Sequence, residues 1–282
     1  MRHSVDTPVR TEEAKRADAV ERLASLGSAL VALSGGVDST LVAALARRHI
    51  PGRVLAVTAV SSFHDPEELQ QARKIARLLK LEHRAVEGPG AEDPDLRDNP
   101  PERCYLCKKK VYSALFRLAR EERLDAVLDG VHGEDQEAER PGLAAARELG
   151  VLSPLLAAGL RKDEIRRWAA DLDLPSAGRP ASPCLATRFP HHTTLSVETL
   201  RRVAEAEQAL GELLPGDLRV RVHGDIARIE TGPDALERLM EPALRGRAVL
   251  ILKNAGFGFV TLDLEGYRSG SMDVPVERER NS

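Results

Sequence analysis

Aromatic side chains make up only 3% of the 282 residues, with a single Trp, so an apolar core has to be assembled from Leu, Val, Ile and Ala. No stretch approaches the run of about 20 apolar residues that spans a bilayer. The N-terminal MRHSVDTPVRTEEAKRADAVERL also lacks the apolar middle of a secretory signal. Cysteine is scarce: there are three, an odd number, without an export signal. That argues against a disulfide framework and for reduced thiols in the cytoplasm. An excess of one charge is missing too. The 41 basic and 44 acidic residues give a net charge of −3, which argues against a large nucleic-acid surface.

What remains is an ordinary globular composition, 42% hydrophobic and 30% charged, in a chain long enough for one large domain or two of usual size. Its organisation is an alternation. An amphipathic helix over 10–27 is followed by a buried strand (28–34) and a small-residue helix, TLVAALARRH. Strand 53–60, helix 65–79 and strand 82–87 come next, then a proline-rich loop, a helix over 103–122 and a strand over 125–130. Helices follow at 141–149 and 160–172. This pattern predicts an α/β fold, a doubly wound parallel sheet with helices on both faces. Residues 174–194 hold four prolines and no clear periodicity, as a functional loop or linker does. Beyond them a helix over 196–214, two strands around HGD, a helix at 232–241 and two strand-like runs, AVLILKNAG and FGFVTLDLEG, predict a smaller α+β domain. The expected division is 1–190 for nucleotide binding, with the cysteine-bearing loop at 174–194, 191–275 for the small domain, and a disordered tail over 276–282.

SGGVDS (34–39) leaves the first strand and opens a helix. Glycines let a backbone approach phosphate, successive N–H groups converge on it, and a helix N-terminus adds positive potential. Ser34 and Ser39 can donate to phosphate oxygens, and Asp38 can orient Mg²⁺ or cap the helix. An ordinary strand-to-helix turn also uses Gly and an Asp or Ser cap. The full SGGxDS is more specific and differs from the Walker GxxxxGK[ST]. It resembles the PP-loop pyrophosphatase superfamily, whose members split ATP between the α and β phosphates and adenylate a substrate. That resemblance implies phosphate binding at Ser34, Gly35, Gly36, Asp38 and Ser39, and adenine contacts near Thr58–Ser61. It also implies a second nucleotide-side loop after Gly130, over 131–142, with Glu134 and Asp135 as metal or catalytic candidates. A solvated acidic loop accounts equally well for either carboxylate.

Cys104 and Cys107 lie three apart at the start of a predicted helix, so both sulfurs can face one way, and Lys108, Lys109 and Lys110 follow. Cations and a helix N-terminus favour thiolate. Cys184 sits in PASPCLATRFP. The three could belong to a zinc site completed by His132, His191, His192 or His223, to a redox pair, or to a 4Fe–4S cluster with one iron left open.

RCYLCK and PASPCLATRFP, together with SGGVDS, LRVRVHGDIARIE and TLDLEGYRSGSM, resemble the LarE family over about residues 12–273. These are ATP-dependent sulfur transferases that help make the nickel-pincer nucleotide cofactor of lactate racemase. The resemblance implies that a pyridinium-3,5-dicarboxylate mononucleotide is adenylated and exchanges carboxylate oxygen for sulfur. In single-cysteine members the residue matching Cys184 gives up its own sulfur. In three-cysteine members the residues matching Cys104, Cys107 and Cys184 hold a 4Fe–4S cluster that delivers sulfide. The expectation here is the cluster form, with ATP, Mg²⁺ and the cluster as cofactors and a flexible loop carrying Cys184. Arg219 and Arg221 fall on one strand face at period two. By the resemblance they hold the substrate phosphate, with Arg188, and Glu230 contacts metal or substrate; an exposed polar strand face is the alternative. The implied partners are the mononucleotide, a sulfide source such as a cysteine desulfurase, and further copies of the chain, with hexamers among the family's forms. Neither nucleic acid nor membrane is expected.

Three rivals remain. An iron–sulfur tRNA thiolase would run parallel chemistry but should carry a basic RNA-binding surface. A non-catalytic nucleotide- or zinc-binding regulator would release no pyrophosphate. An amidating ligase has no use for three sulfurs.

Overall fold

A computed structural model describes residues 10–137, 141–179, 182–214, 216–268 and 270–272. The expected disordered tail lies outside the described residues. Contacts divide the chain into two compact units. One takes in the chain up to Val60, Pro66–Gly88 and Cys104 onward to 179. The other takes in Ser61–Asp65, Pro89–Arg103 and Ser182 onward.

In the first unit, helix α1 (Glu12–Ala24) starts where the Thr11 hydroxyl accepts the Ala14 N–H, with Glu12 and Glu13 in the first turn and Arg22 in the last, both matched to the helix dipole. Then come β1 (Ala29–Ala32), α2 (Val37–His49), β2 (Val54–Val60), α3 (Pro66–Leu78), β3 (Glu82–Glu87), α4 (Arg103–Glu121), β4 (Ala126–Leu128), α5 (Gly133–Glu137), α6 (Pro141–Leu149), α7 (Pro154–Ala157) and α8 (Lys162–Asp171). The strands are all parallel in the order β3-β2-β1-β4, with Leu30 opposite both Leu55 and Val127. Alternate residues of β1 serve opposite faces, as strand geometry requires. Ala29 and Val31 join a core with α1, α2, α3 and α8 (Leu23, Leu41, Ile75, Trp168), whereas Leu30 joins Tyr112 and Leu115 of α4 and Ala146 of α6. Helices therefore cover both faces, as the alternation predicted. The strand order reverses direction between β1 and β4, and in such sheets ligands bind at the carboxyl ends of the strands flanking the reversal.

The second unit carries α9 (Val197–Gly211), β5 (Leu218–His223), β6 (Ile226–Thr231), α10 (Pro233–Arg238), α11 (Pro242–Asn254) and β7 (Phe259–Leu262). β5 and β6 form an antiparallel hairpin across Gly224, whose φ of +62° suits a tight two-residue turn. One expectation fails here: AVLILKN is helical rather than a strand, forming the C-terminal half of α11. Two features account for it. Pro242 occupies a first-turn position where its missing N–H costs nothing. β6 and β7 are also parallel, so the chain must cross over between them, most simply through a helix. The helix buries Ala248 and Leu252, four apart, and leaves Leu250 exposed. No helix among the described residues is long and apolar enough to cross a membrane.

Candidate active site

The SGGVDS loop is built from the end of β1 outward. Leu33 donates its N–H to the Val57 carbonyl (2.8 Å), which carries the sheet pairing one residue past β1. Gly35 then takes φ +86°, a conformation that suits glycine, with its missing side chain turned toward the α3 backbone at Ala72. Gly36 is the N-cap of α2. Two serines brace the turn. Ser39 Oγ accepts the Ser34 N–H (3.2 Å), donates to the Gly36 carbonyl (3.2 Å) and lies 3.1 Å from Ser34 Oγ. The result is a compact loop at a helix N-terminus, whose first N–H groups lack partners within the helix and suit an anion.

Beside it ends β4. Gly130 packs so close to the first turn of α2 that a Cβ there would lie 2.6 Å from the Ser39 nitrogen and 2.8 Å from the Asp38 carbonyl carbon. Asp129 is buried, accepting from the hydroxyls of Tyr112 (2.7 Å) and Ser153 (2.6 Å). Burial, above all, and the neighbouring Asp129 push the Tyr112 phenol well up, so it stays protonated and donates. Past Gly130, His132 is buried with Nε2 at 3.5 Å from Asp135 and 3.9 Å from Asp38. Its Nδ1 has no hydrogen-bond partner among the described residues. Lys162, opening α8, places its ammonium 2.6 and 2.7 Å from the two Asp38 oxygens, and its N–H donates to Glu134 (2.9 Å). His132 thus links Asp38 with Asp135, and Lys162 spans from Glu134 at its main chain to Asp38 at its ammonium. Carboxylates suit a hard cation, the ammonium and loop N–H groups suit phosphate, and the orphaned His132 nitrogen leaves a polar site for an incoming group. The loop and the ammonium fit ATP; the carboxylates offer oxygen ligands but are not gathered into a metal site among the described residues. Lys162 and His132 were not singled out as nucleotide-site residues from sequence; LRKDEIRR reads only as an amphipathic helix. Residues 138–140 of the second loop lie outside the described residues.

At the end of β2, Thr58 is buried and donates from Oγ1 to the Leu33 carbonyl (2.6 Å). Cys104 and Cys107 occupy the first turn of α4, three residues apart and half-buried, with Tyr105 and Lys109 tied to Glu148.

In the second unit the Cys184 segment is not a loose loop. Leu185–Arg188 forms a 3-10 turn, and the Cys184 carbonyl accepts from the Thr187 N–H (3.0 Å), the Thr187 hydroxyl (2.7 Å) and Arg188 Nη1 (3.2 Å). The Leu185 N–H donates to Phe63 (2.8 Å). Asn99, fully buried with φ +49°, donates from Nδ2 to the carbonyls of Phe189 (3.2 Å) and Pro190 (2.7 Å). Turn residues and prolines gave the impression of flexibility; remote carbonyl and side-chain partners remove it. Residues 180 and 181 lie outside the described residues.

Arg188, Arg219 and Arg221 are all buried, which rules out an exposed polar face. Arg188 forks onto Glu207 (2.9 and 2.8 Å). Arg221 donates from Nε to Glu230 (2.8 Å) and from Nη1 to the Thr187 carbonyl (2.9 Å). The Arg219 guanidinium lies over the Tyr267 ring, 5.2 Å from its centroid. Burial, then repulsion from Arg188, press its pKa below the ordinary arginine value, as a site short of negative charge would. Glu230 is completely buried and also accepts from Arg228 (3.1 Å) and Ser271 (2.7 Å). Its removal strands buried cations, so Glu230→Ala is expected to cost about 3–5 kcal/mol of stability. Ser271→Ala should cost only about 1 kcal/mol. Urea unfolding of the two variants checks the contrast. Among the described residues, no group of three or more His, Cys, Asp or Glu side chains is gathered closely enough to hold a metal ion.

Comparison with known proteins adds three relatives and a family model. The model for asparagine synthase matches residues 14–133, which hold the glycine loop and the strands beside it. A protein of Synechocystis sp., described only as uncharacterised, is 41% identical over 88% of this chain and 92% of its own length. Pyridinium-3,5-bisthiocarboxylic acid mononucleotide synthase of Lactiplantibacillus plantarum is 37% identical over 92% of this chain and 94% of its own length. An uncharacterised protein of Methanocaldococcus jannaschii is 30% identical, over 85% and 90%.

Proposed function

The chain belongs to the LarE family, that of pyridinium-3,5-bisthiocarboxylic acid mononucleotide synthase, and on that footing we propose that it replaces carboxylate oxygen by sulfur on a pyridinium-3,5-dicarboxylate mononucleotide. It is an ATP-dependent enzyme that forms AMP and pyrophosphate. The observation that carries the finer reading is the buried, cation-rich cluster around Arg219, whose chemistry suits a substrate phosphate.

ATP sits with its phosphates on Ser34–Ser39 and the α2 N-terminus. Asp38, Glu134 and Asp135 are the carboxylates on which Mg²⁺ arriving with the triphosphate would draw, and it would supply charge neutralisation there. Lys162 can exchange its contact with Asp38 for a phosphate oxygen. A substrate carboxylate attacks the α phosphorus, pyrophosphate leaves, and the acyl-adenylate holds AMP as a leaving group far better than oxide. A sulfur nucleophile then adds to the acyl carbon and AMP departs, leaving a thiocarboxylate. A second round on the other carboxylate gives the bis product. The dianionic phosphate of the mononucleotide is assigned to Arg219 and Arg221, with Arg188, since guanidinium forks suit phosphate.

For the sulfur source we infer a 4Fe–4S cluster held by Cys104, Cys107 and Cys184. Cys104 and Cys107 share one turn of α4, and ligation by three thiolates would leave one iron of the cluster open. Such a cluster, held by these cysteines, would supply the sulfide. The competing source is the Cys184 sulfur itself, lost with formation of dehydroalanine. Iron and acid-labile sulfide in anaerobically purified protein separate the two. About four irons per chain, lost in Cys104→Ala, support the cluster; iron-free protein that becomes lighter by one H₂S per transferred sulfur supports sacrifice.

A further inference from the structure

The nucleotide loop is anchored by a histidine two strands away. His83, on β3, places Nε2 2.8 Å from Thr58 Oγ1 on β2. That same hydroxyl lies 2.6 Å from the carbonyl of Leu33, the last residue before the loop. A threonine hydroxyl has one hydrogen, and a carbonyl oxygen has none to offer. The hydroxyl hydrogen therefore points at Leu33, and the contact to His83 closes only if the ring donates. With the hydrogen on Nδ1 instead, two lone pairs would face each other at 2.8 Å. Burial, then the nearby Arg73, lowers the His83 pKa, which suits a neutral ring.

From this chain of contacts we propose that His83 is a positioning residue for nucleotide binding, held as its Nε2–H tautomer, acting through Thr58 and the Leu33 carbonyl on the first peptide of the loop. The Leu33 peptide is then fixed at both ends. Its N–H donates to Val57 (2.8 Å) and its carbonyl accepts from Thr58. The next N–H, that of Ser34, goes to Ser39 Oγ in α2 (3.2 Å). Three adjacent strands thereby set where the loop leaves the sheet, and chained hydrogen bonds of this kind reinforce one another. Without the incoming donor, the Thr58 oxygen loses its orientation and the loop loses its fixed origin.

The inference rests on the reading of Ser34–Ser39 as the phosphate site. Its test measures MgATP binding by calorimetry, in the absence of the acceptor substrate, for the unaltered protein, His83→Leu, His83→Gln and Thr58→Val. His83→Leu is expected to weaken MgATP about tenfold, equivalent to about 1.4 kcal/mol. Glutamine places an amide N–H near the position of Nε2 and should recover most of that loss. His83→Leu combined with Thr58→Val should be no weaker than Thr58→Val alone, since both act on one chain of bonds. Equal MgATP affinity for His83→Leu and the unaltered protein overturns the inference, as does a glutamine variant as impaired as the leucine one. Nitrogen-15 NMR of the His83 ring adds a readout independent of ATP: an Nε2–H pattern supports the inference, and an Nδ1–H pattern overturns it. If the unaltered protein binds no MgATP, the nucleotide reading fails and takes this one with it; the tautomer would still be read.

Discussion

Cys184→Ala is expected to stop sulfur transfer completely while leaving substrate-dependent pyrophosphate release in place. In the proposed mechanism adenylation draws on the loop at Ser34–Ser39, on Lys162, which contacts Asp38, and on the acceptor carboxylate, none of which involves a thiol. The second half-reaction is different, because it needs sulfur under either source. The variant should fold normally. The segment is held by its main chain, through the Cys184 carbonyl and the Leu185 N–H, and the sulfur contributes to neither bond. Pyrophosphate and thiocarboxylate measured in the same samples give the result. Uncoupled release, with AMP and unmodified substrate regenerated by hydrolysis, is the expected pattern; a variant that still forms thiocarboxylate would remove Cys184 from the chemistry. Cys104→Ala refines this. It should be as inactive as Cys184→Ala if a cluster delivers the sulfide, and should retain one transfer per chain if Cys184 is consumed.

Gly130→Ala is expected to cost nearly as much, by a steric route. The added methyl would meet the backbone of Asp38 and Ser39 at 2.8 and 2.6 Å, well inside contact distance. These are backbone atoms in the first turn of α2, so no side chain can rotate away. Either the β4 loop or the helix N-terminus must move, and displacements of this size can cost on the order of a hundredfold in rate. Gly133→Ala, three residues on, is the control: its Cβ would lie 3.4 Å from the Leu160 carbonyl, an ordinary contact. Steady-state pyrophosphate release for the pair tests the argument. A Gly130→Ala enzyme as active as Gly133→Ala would show that the β4 loop does not register against the glycine loop.

The layered α/β part was legible because its strands are short apolar runs separated by helical periodicity, and because SGGVDS marks one strand end by itself. α11 was misread because AVLILKN is apolar without a pattern, and only the parallel pairing of β6 with β7 requires a crossover there. The site residues divide in the same way. Ser34, Asp38 and Cys104 stand in local motifs. Lys162 reaches Asp38 across 124 positions, and Glu207 meets Arg188 from a helix that reads as ordinary amphipathic surface. Such pairings follow from topology, which no local window contains. The arginines of β5 show the converse: their spacing placed them on one face, but their burial depended on the 3-10 turn bearing Thr187 and Arg188.

The most direct test of the account supplies anaerobic protein with MgATP and pyridinium-3,5-dicarboxylate mononucleotide and follows the organic product by mass spectrometry alongside pyrophosphate. The account predicts exchange of oxygen for sulfur in the product, with one pyrophosphate released for each sulfur gained. Pyrophosphate release that ignores the mononucleotide, or a product carrying nitrogen in place of oxygen when ammonia is present, would contradict it.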